Sequence, residues 1–265
     1  MKQGIKVLFW ILLFVLLTLI TQIGGLVLVF SLLLARKWKA EFRSKTLMVF
    51  LILYFISTFV VVPLLAPIFG REKVNHSEII KPATVFTLIL NRNYVCPDLN
   101  ILLANTEKEL VDTNIKLIYL DANFPFINRF PLLPHLSHND GRKIDLCLVY
   151  EDEDGSIIGK PKSRTGYGVF VEPESGIESQ NSKCEKQGFY QYDFPKYLSF
   201  GEINSSLEFS IQGTRKLIMA LLKNKELEKL FIEPHLKRSM GLKDSRIRYQ
   251  GCHSVRHDDH IHIQI

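Results

Sequence analysis

Five of the chain's eight histidines fall in two clusters. One is His135-Leu-Ser-His138-Asn-Asp-Gly141-Arg-Lys-Ile-Asp145 in the middle, and the other is His257-Asp-Asp-His260-Ile-His262 at the end. Imidazoles and carboxylates at these spacings are a donor set suited to Zn²⁺. Three protein donors and one open position let such an ion activate water for hydrolysis. The last six residues, His260-Ile-His-Ile-Gln-Ile265, alternate polar and apolar, the period of a strand half buried in a sheet. His260, His262 and Gln264 then share one face, while Ile261, Ile263 and Ile265 point into a core. The β-branched isoleucines favour a strand over a helix. Two imidazoles side by side on a rigid strand allow one to bind metal while the other stands beside it as a base. In the first cluster His138 and Asp145 bracket Gly141 in a polar stretch, and the apolar run Ile144 to Tyr150 predicts a second strand.

These residues resemble the zinc peptidase superfamily that groups lysostaphin, the D-Ala-D-Ala peptidases and the hedgehog signalling domain. Its pattern is His-x-x-Gly-x-x-x-Asp, here His138 to Asp145, followed far downstream by His-x-His, here His260 to His262. The penicillin-insensitive murein endopeptidases add a histidine three residues before each half, and both additions are present as His135 and His257. The phrase Arg256-His-Asp-Asp-His-Ile-His262 is also similar to that family's terminal motif. The joint occurrence of both halves is more specific than either alone. Over residues 115–265 the resemblance implies one Zn²⁺ held by His138, Asp145 and His262, with His260 as catalytic base or polarising group. It implies that His135 and His257 line the cleft and that Arg142, Lys143 or Arg256 binds a substrate carboxylate. The implied partners are peptidoglycan stem peptides, cut at D-alanyl-diaminopimelate cross-links. A D-alanyl-D-alanine carboxypeptidase would use the same ligands. A catalytically silent zinc domain that binds murein or a partner protein is the alternative from another class. The chain departs from the family in its N-terminal membrane hairpin and its cysteine positions.

Other polar residues carry less. His253 and His235 have no slot in either half of the motif, and His76 reads as a solvated residue just outside the membrane. Asp258 and Asp259 read equally as turn residues or as partners orienting an imidazole.

These elements need a scaffold, and its front is made of different material. Val7 to Leu34 contains no charge, and Thr46 to Phe69 is equally apolar. Each is long enough, at about 1.5 Å per residue, to cross a bilayer core of about 30 Å. Two transmembrane helices are expected, over about 7–34 and 46–69. Gly24-Gly25 and Gln22 permit bending or close packing in the first, and Pro63 and Pro67 kink or end the second. The first run is too long for a cleavable signal peptide and ends in Ala35-Arg-Lys-Trp-Lys39, so it reads as a retained anchor. The connector Ala35 to Lys45 carries five basic residues against Glu41 alone, which places it in the cytoplasm of a bacterium, with both chain termini and the C-terminal domain in the periplasm. Lys2 and Lys6 pull weakly the other way.

The formal net charge of +6 owes much to that connector, and no nucleic-acid motif appears. The four cysteines, Cys96, Cys147, Cys184 and Cys252, lie outside the membrane segments. They allow two disulfides in three undecided connectivities, or free buried thiols. The expected fold class is α+β: a transmembrane hairpin over 1–70, a linker and domain entry over 71–114, and a zinc peptidase domain over 115–265 around a small antiparallel sheet. Strands are expected at Val85 to Leu90, Ile115 to Leu120, Gly168 to Val171 and Lys229 to Glu233. Helices are expected at Thr214 to Leu230, with apolar residues at helical spacing, and at His235 to Met240. Tyr150 to Gln191 has little periodicity and reads as an elaborated surface loop.

Overall fold

The computed structural model describes residues 2–37 and 43–265, so the middle of the basic connector, 38–42, lies outside the described residues. The chain is α+β. It divides into two units, one made of Met1–Val74, Phe86–Pro97 and Ala122–Gly141, the other of Asn75–Val85, Asp98–Asp121 and Arg142–Ile265.

In the first unit, α1 spans Lys2–Thr21, α2 Gly24–Lys37 and α3 Arg43–Ile56. The axis of α3 continues through a π turn, Ser57–Val61, an α turn, Val62–Leu65, and a 3-10 turn, Ala66–Phe69. Two helical stretches, Gly4–Thr21 and Lys45–Phe69, are long and apolar enough to cross a membrane, and Gly24–Arg36 is apolar but shorter. The single span expected over 7–34 is therefore corrected: it breaks at Gln22, whose φ is 66°. A Cβ on Gly25 would lie 2.8 Å from the Phe14 carbonyl oxygen. Eleven residues of straight helix would separate the two by about 16 Å, so the chain folds back on itself. A sum of hydropathy does not register such a turn. The glycine pair, with no side chains, permits the close approach. Thr21 Oγ1 accepts from Gly24 N–H at 2.8 Å, and Gln22 Oε1 accepts from Phe126 N–H at 2.9 Å, so both of these tip acceptors are used within the protein.

Pro63 and Pro67 open the last two short turns of α3, and Gly70, at φ 69°, ends them with its N–H on the Ala66 and Pro67 carbonyls. The core here joins helix to loop. Ile23, Val27, Val62, Ala66 and Tyr94 are buried together, with Phe50, Leu53, Tyr54 and Phe126 packed around them. The run expected as a strand at Val85 to Leu90 is instead a short helix, α4, Val85–Ile89. Asn91 follows in the left-handed region at φ 56°, where asparagine closes a helix at little cost.

The second unit is organised by a six-stranded sheet. In chain order its strands are β1 Ile80–Pro82, β2 Leu117–Tyr119, β3 Lys143–Cys147, β4 Lys229–Phe231, β5 Ile247–Arg248 and β6 His260–Gln264. Their spatial order is β5-β4-β6-β3-β2-β1. The four central strands pair antiparallel as expected, but β1 pairs parallel to β2 and β5 parallel to β4, so the sheet is mixed. All of β3 and His260 to Ile263 of β6 are buried, which shows both faces covered. The stretch read as linker holds β1 and a 14-residue helix, α5, Pro97–Leu110, with Pro97 and Asp98 in its first turn and Lys108 in its last. Proline at the helix start and charges matched to its dipole stabilise it.

Between the central strands, Tyr150–Glu151 pairs with both Ile157–Ile158 and Glu208–Phe209 in a small second sheet. Gly168 to Val171, expected as a strand, is irregular. The short helix α6, Gln180–Lys186, carries Cys184, which is disulfide-bonded to Cys252; Cys96 and Cys147 are free thiols. The expected helix at Thr214 to Leu230 is α7, Ile211–Leu222, begun by Ser210, whose side chain accepts from Gly213 N–H at 3.1 Å. Helix α8 spans Pro234–Ser239.

Candidate metal centre

The antiparallel register of β3 and β6 sets His262 opposite Asp145 and His260 opposite Cys147. Directly opposed residues project to the same face, and His262 Nδ1 lies 2.8 Å from Asp145 Oδ1. His260 shares that face, with Nε2 3.8 Å from the same carboxylate oxygen. The His257 ring packs 4.9 Å from His260 and 5.9 Å from His262, and Phe231 of β4 backs both His257 and His262.

Two residues that are not histidines, one of them outside both motifs, hold this group. Tyr167 donates its hydroxyl to Asp145 Oδ2 at 2.7 Å, and its ring meets His260 edge-on at 5.0 Å. It comes from the aperiodic stretch read as an exposed loop. Its only sequence signal is the pair of flanking glycines, Gly166 and Gly168, both left-handed at φ 89° and 77°. Asp259 reaches His260 Nδ1 with Oδ1 at 2.5 Å and accepts from Gly168 N–H with Oδ2 at 2.6 Å. Of its two sequence readings, orienting an imidazole describes this geometry. Burial pushes the His260 imidazole down, but Asp259, Asp145 and Asp258 outweigh it and bring the pKa up to about 9.

Behind this face lies a buried ionic cluster. Arg256 makes two bonds to Asp258, at 2.7 and 2.6 Å, reaches Glu172 at 2.8 Å and Asp193 at 3.1 Å, and stacks 3.8 Å over Phe170. Its side chain is 4% exposed, so its guanidinium is engaged within the protein. Burial raises the Asp258 carboxyl to about 7 against the pull of Arg256. Glu233, fully buried, accepts from Tyr192 Oη at 2.6 Å and from His257 N–H at 3.0 Å, fixing the backbone that leads into β6. Arg142 donates Nε–H to the Ile265 carbonyl at 2.7 Å. His235 bonds the Val171 carbonyl at 2.6 Å, His253 packs on Phe189, and His76 bonds Tyr119 Oη at 2.7 Å.

In the first unit, the His135 and His138 rings meet edge to face at 5.7 Å. His138 Nδ1 is 2.8 Å from the Ala122 carbonyl oxygen. A carbonyl only accepts, so Nδ1 carries the proton and Nε2 keeps the lone pair a metal needs. His135, His138 and Asp145, all buried, each offer one ligand atom, and these atoms lie within 4.8 Å of one another. This group is able to hold a metal ion. It contains two of the three ligands expected from the sequence, with His135 as its third member, while His262 stands against Asp145.

No protein-family model matches the chain, and no curated protein matches it either. The motifs and their geometry therefore carry the functional argument.

Proposed function

We propose that the protein is a membrane-anchored zinc metallopeptidase that hydrolyses peptide bonds in peptidoglycan stem peptides, chiefly D-alanyl cross-links. The observation that carries this reading is the buried His-His-Asp cluster on the motif that resembles murein endopeptidases. The donors fit zinc. At Zn–N and Zn–O distances of about 2.0–2.2 Å, two ligand atoms on one ion are at most about 4.3 Å apart, so a set already within 4.8 Å closes with a small rotation. His138, Asp145 and His262 are the proposed ligands. His135 is the competing third donor because it belongs to the cluster.

Bound zinc would polarise the scissile carbonyl and lower the pKa of water toward ~7. The chain's own groups do the rest. Tyr167 restrains one oxygen of Asp145 and leaves the other directed at His262. Asp259 fixes the His260 ring, so that Nε2, in the neutral ring that a bound cation's charge would favour, receives a proton from the attacking water and returns it to the leaving amine. The fully buried His260 and Asp145 work in a medium where fixed charges act more strongly than in water.

The membrane reading rests on the two long apolar helices. With α1 folded back on α2, the start of α1, with Lys6, lies at the same end of the hairpin as Arg36 of α2. All these positive charges then favour the cytoplasm, and α3 leads outward. The N-terminus is accordingly proposed inside, in place of the outside position expected from two spans.

Zinc analysis of the full chain and its His135→Ala, His138→Ala and His262→Ala variants tests the ligand set. About one zinc in wild type and in His135→Ala, with none in the other two, supports it. Zinc retained by His262→Ala and lost by His135→Ala would move the third ligand to His135, and full zinc in His138→Ala would reject the site.

A further inference from the structure

The last turns of α3 have two unlike sides. On one, Val62 and Ala66 are buried with Ile23, Val27 and Tyr94, and Phe126 packs on the same cluster. On the other, Leu64, Leu65, Ile68 and Phe69 are exposed, Ile68 at 76%. Asn91 links the hairpin tip to α3 at Thr58. From Thr58 the axis runs a further eleven residues, about 16 Å, to Phe69. The segments 86–95 and 124–127 thus stand beside a length of helix whose far side is apolar to its end.

Their own outward residues are apolar too. Phe86 is 65% exposed and Ile127 57%. Ile127 directly follows Phe126, whose ring meets Phe69 edge-on at 5.1 Å. Phe86 is three residues from Ile89, whose carbonyl accepts from Tyr54 Oη of α3 at 2.8 Å. Water is a poor partner for so continuous an apolar surface. Its continuity with the outward side of α3 identifies the occupant as lipid. A cation suited to headgroups stands nearby: Arg129, exposed, is two residues beyond Ile127.

On the membrane reading given above, we infer that Ile68 and Phe69, together with Phe86 and Ile127, form a bilayer-facing surface seated at the boundary of acyl chains and headgroups. The consequence reaches the histidines. Arg129 N–H donates to the Asn139 carbonyl at 2.7 Å, next to His138, and Arg71 bonds Asn128 Oδ1 while packing beneath Gly141. The segment that carries His135 and His138 is thereby held at the membrane surface, within reach of peptides attached to or lying close to that membrane.

Tryptophan quenching in vesicles of phosphatidylcholine and phosphatidylglycerol with brominated acyl chains tests this. Four full-length proteins are needed. Trp38→Phe retains Trp10 of α1 as a membrane control. In a Trp10→Phe/Trp38→Phe background, Phe86→Trp and Ile127→Trp are the probes, and Ile177→Trp is an aqueous control. The expected result is strong quenching of Trp10, clear quenching at 86 and 127 by lipids brominated near the headgroup, and none at 177. Quenching of Trp10 with none at 86 and 127 would overturn the proposed surface and leave the membrane reading intact. Absence of quenching at Trp10 as well would remove both.

Discussion

Replacing Asp259 with Asn leaves the shape of the site nearly unchanged and removes one acceptor. Asp259 accepts twice, from Gly168 N–H at 2.6 Å and at His260 Nδ1 at 2.5 Å. An asparagine can accept with only one of its two terminal atoms. If its oxygen keeps Gly168, its NH₂ faces His260 Nδ1, which must then accept, so the ring proton moves to Nε2 and the base is lost. If the amide flips, the buried Gly168 N–H loses its partner. The flipped arrangement costs about 1–3 kcal/mol of stability for a buried N–H left unmatched. The first removes proton transfer, worth about 10²- to 10⁴-fold in kcat. Asp259 is not among the proposed ligands, so zinc content stays near one per chain. Metal analysis, chemical denaturation and turnover of a cross-linked stem peptide, each on wild type and Asp259→Asn, separate these effects. Unchanged turnover in a metallated Asp259→Asn protein would refute the orienting role, and loss of zinc would make Asp259 part of the metal site instead.

Tyr167→Phe removes the hydroxyl that restrains Asp145 and is expected to weaken zinc about 10- to 100-fold with the fold retained. Competition with a chelating dye reads this directly, and unaltered affinity would dismiss the contact. Cys184 and Cys252 close a loop across a sequence separation of 68, so reduction or Cys252→Ser should lower stability by about 2–4 kcal/mol. Identical denaturation midpoints with and without reductant would contradict that. For topology, a membrane-impermeant thiol reagent is applied to intact spheroplasts in a Cys96→Ser/Cys147→Ser background. It should label Glu78→Cys and spare both Gly4→Cys and Lys39→Cys. Labelling of Gly4→Cys with Lys39→Cys protected would place the N-terminus outside and reject the hairpin.

What the sequence made legible was what local periodicity encodes. Alternation in His260 to Ile265 placed two imidazoles on one face because a strand's period is independent of its surroundings. The apolar run before Tyr150 located the neighbouring strand. Apolar length marked the helices that are long and apolar enough to cross a membrane, but the turn at Gln22 lies inside a continuous apolar run, and only the close approach of Gly25 to Phe14 reveals it. Helix α5 carried legible signals, Pro97 and Asp98 at its start and Lys108 near its end. Val85 to Leu90 misled because β-branched and aromatic residues favour strands in general, while the helix end is held by the Tyr54 hydroxyl on the Ile89 carbonyl and by Asn91 in the left-handed region. Tyr167 was invisible since its role depends on a loop path fixed by distant contacts. The pairing of Cys184 with Cys252 likewise follows from the fold and not from spacing. In the candidate metal site, residue types and spacing picked out the histidines, whereas the choice between His135 and His262 depends on side-chain placement that a motif does not contain.

Mass spectrometry of purified cross-linked stem peptides, incubated with the zinc-loaded full chain in vesicles, tests the central claim most directly. The account predicts that cross-linked dimers disappear and that monomers appear with the mass of one added water, in wild type only. Chelation or His260→Ala should stop the reaction. Dimers that persist unchanged with fully metallated wild type, on every stem peptide offered, would contradict the peptidase and leave a zinc domain that binds without cutting.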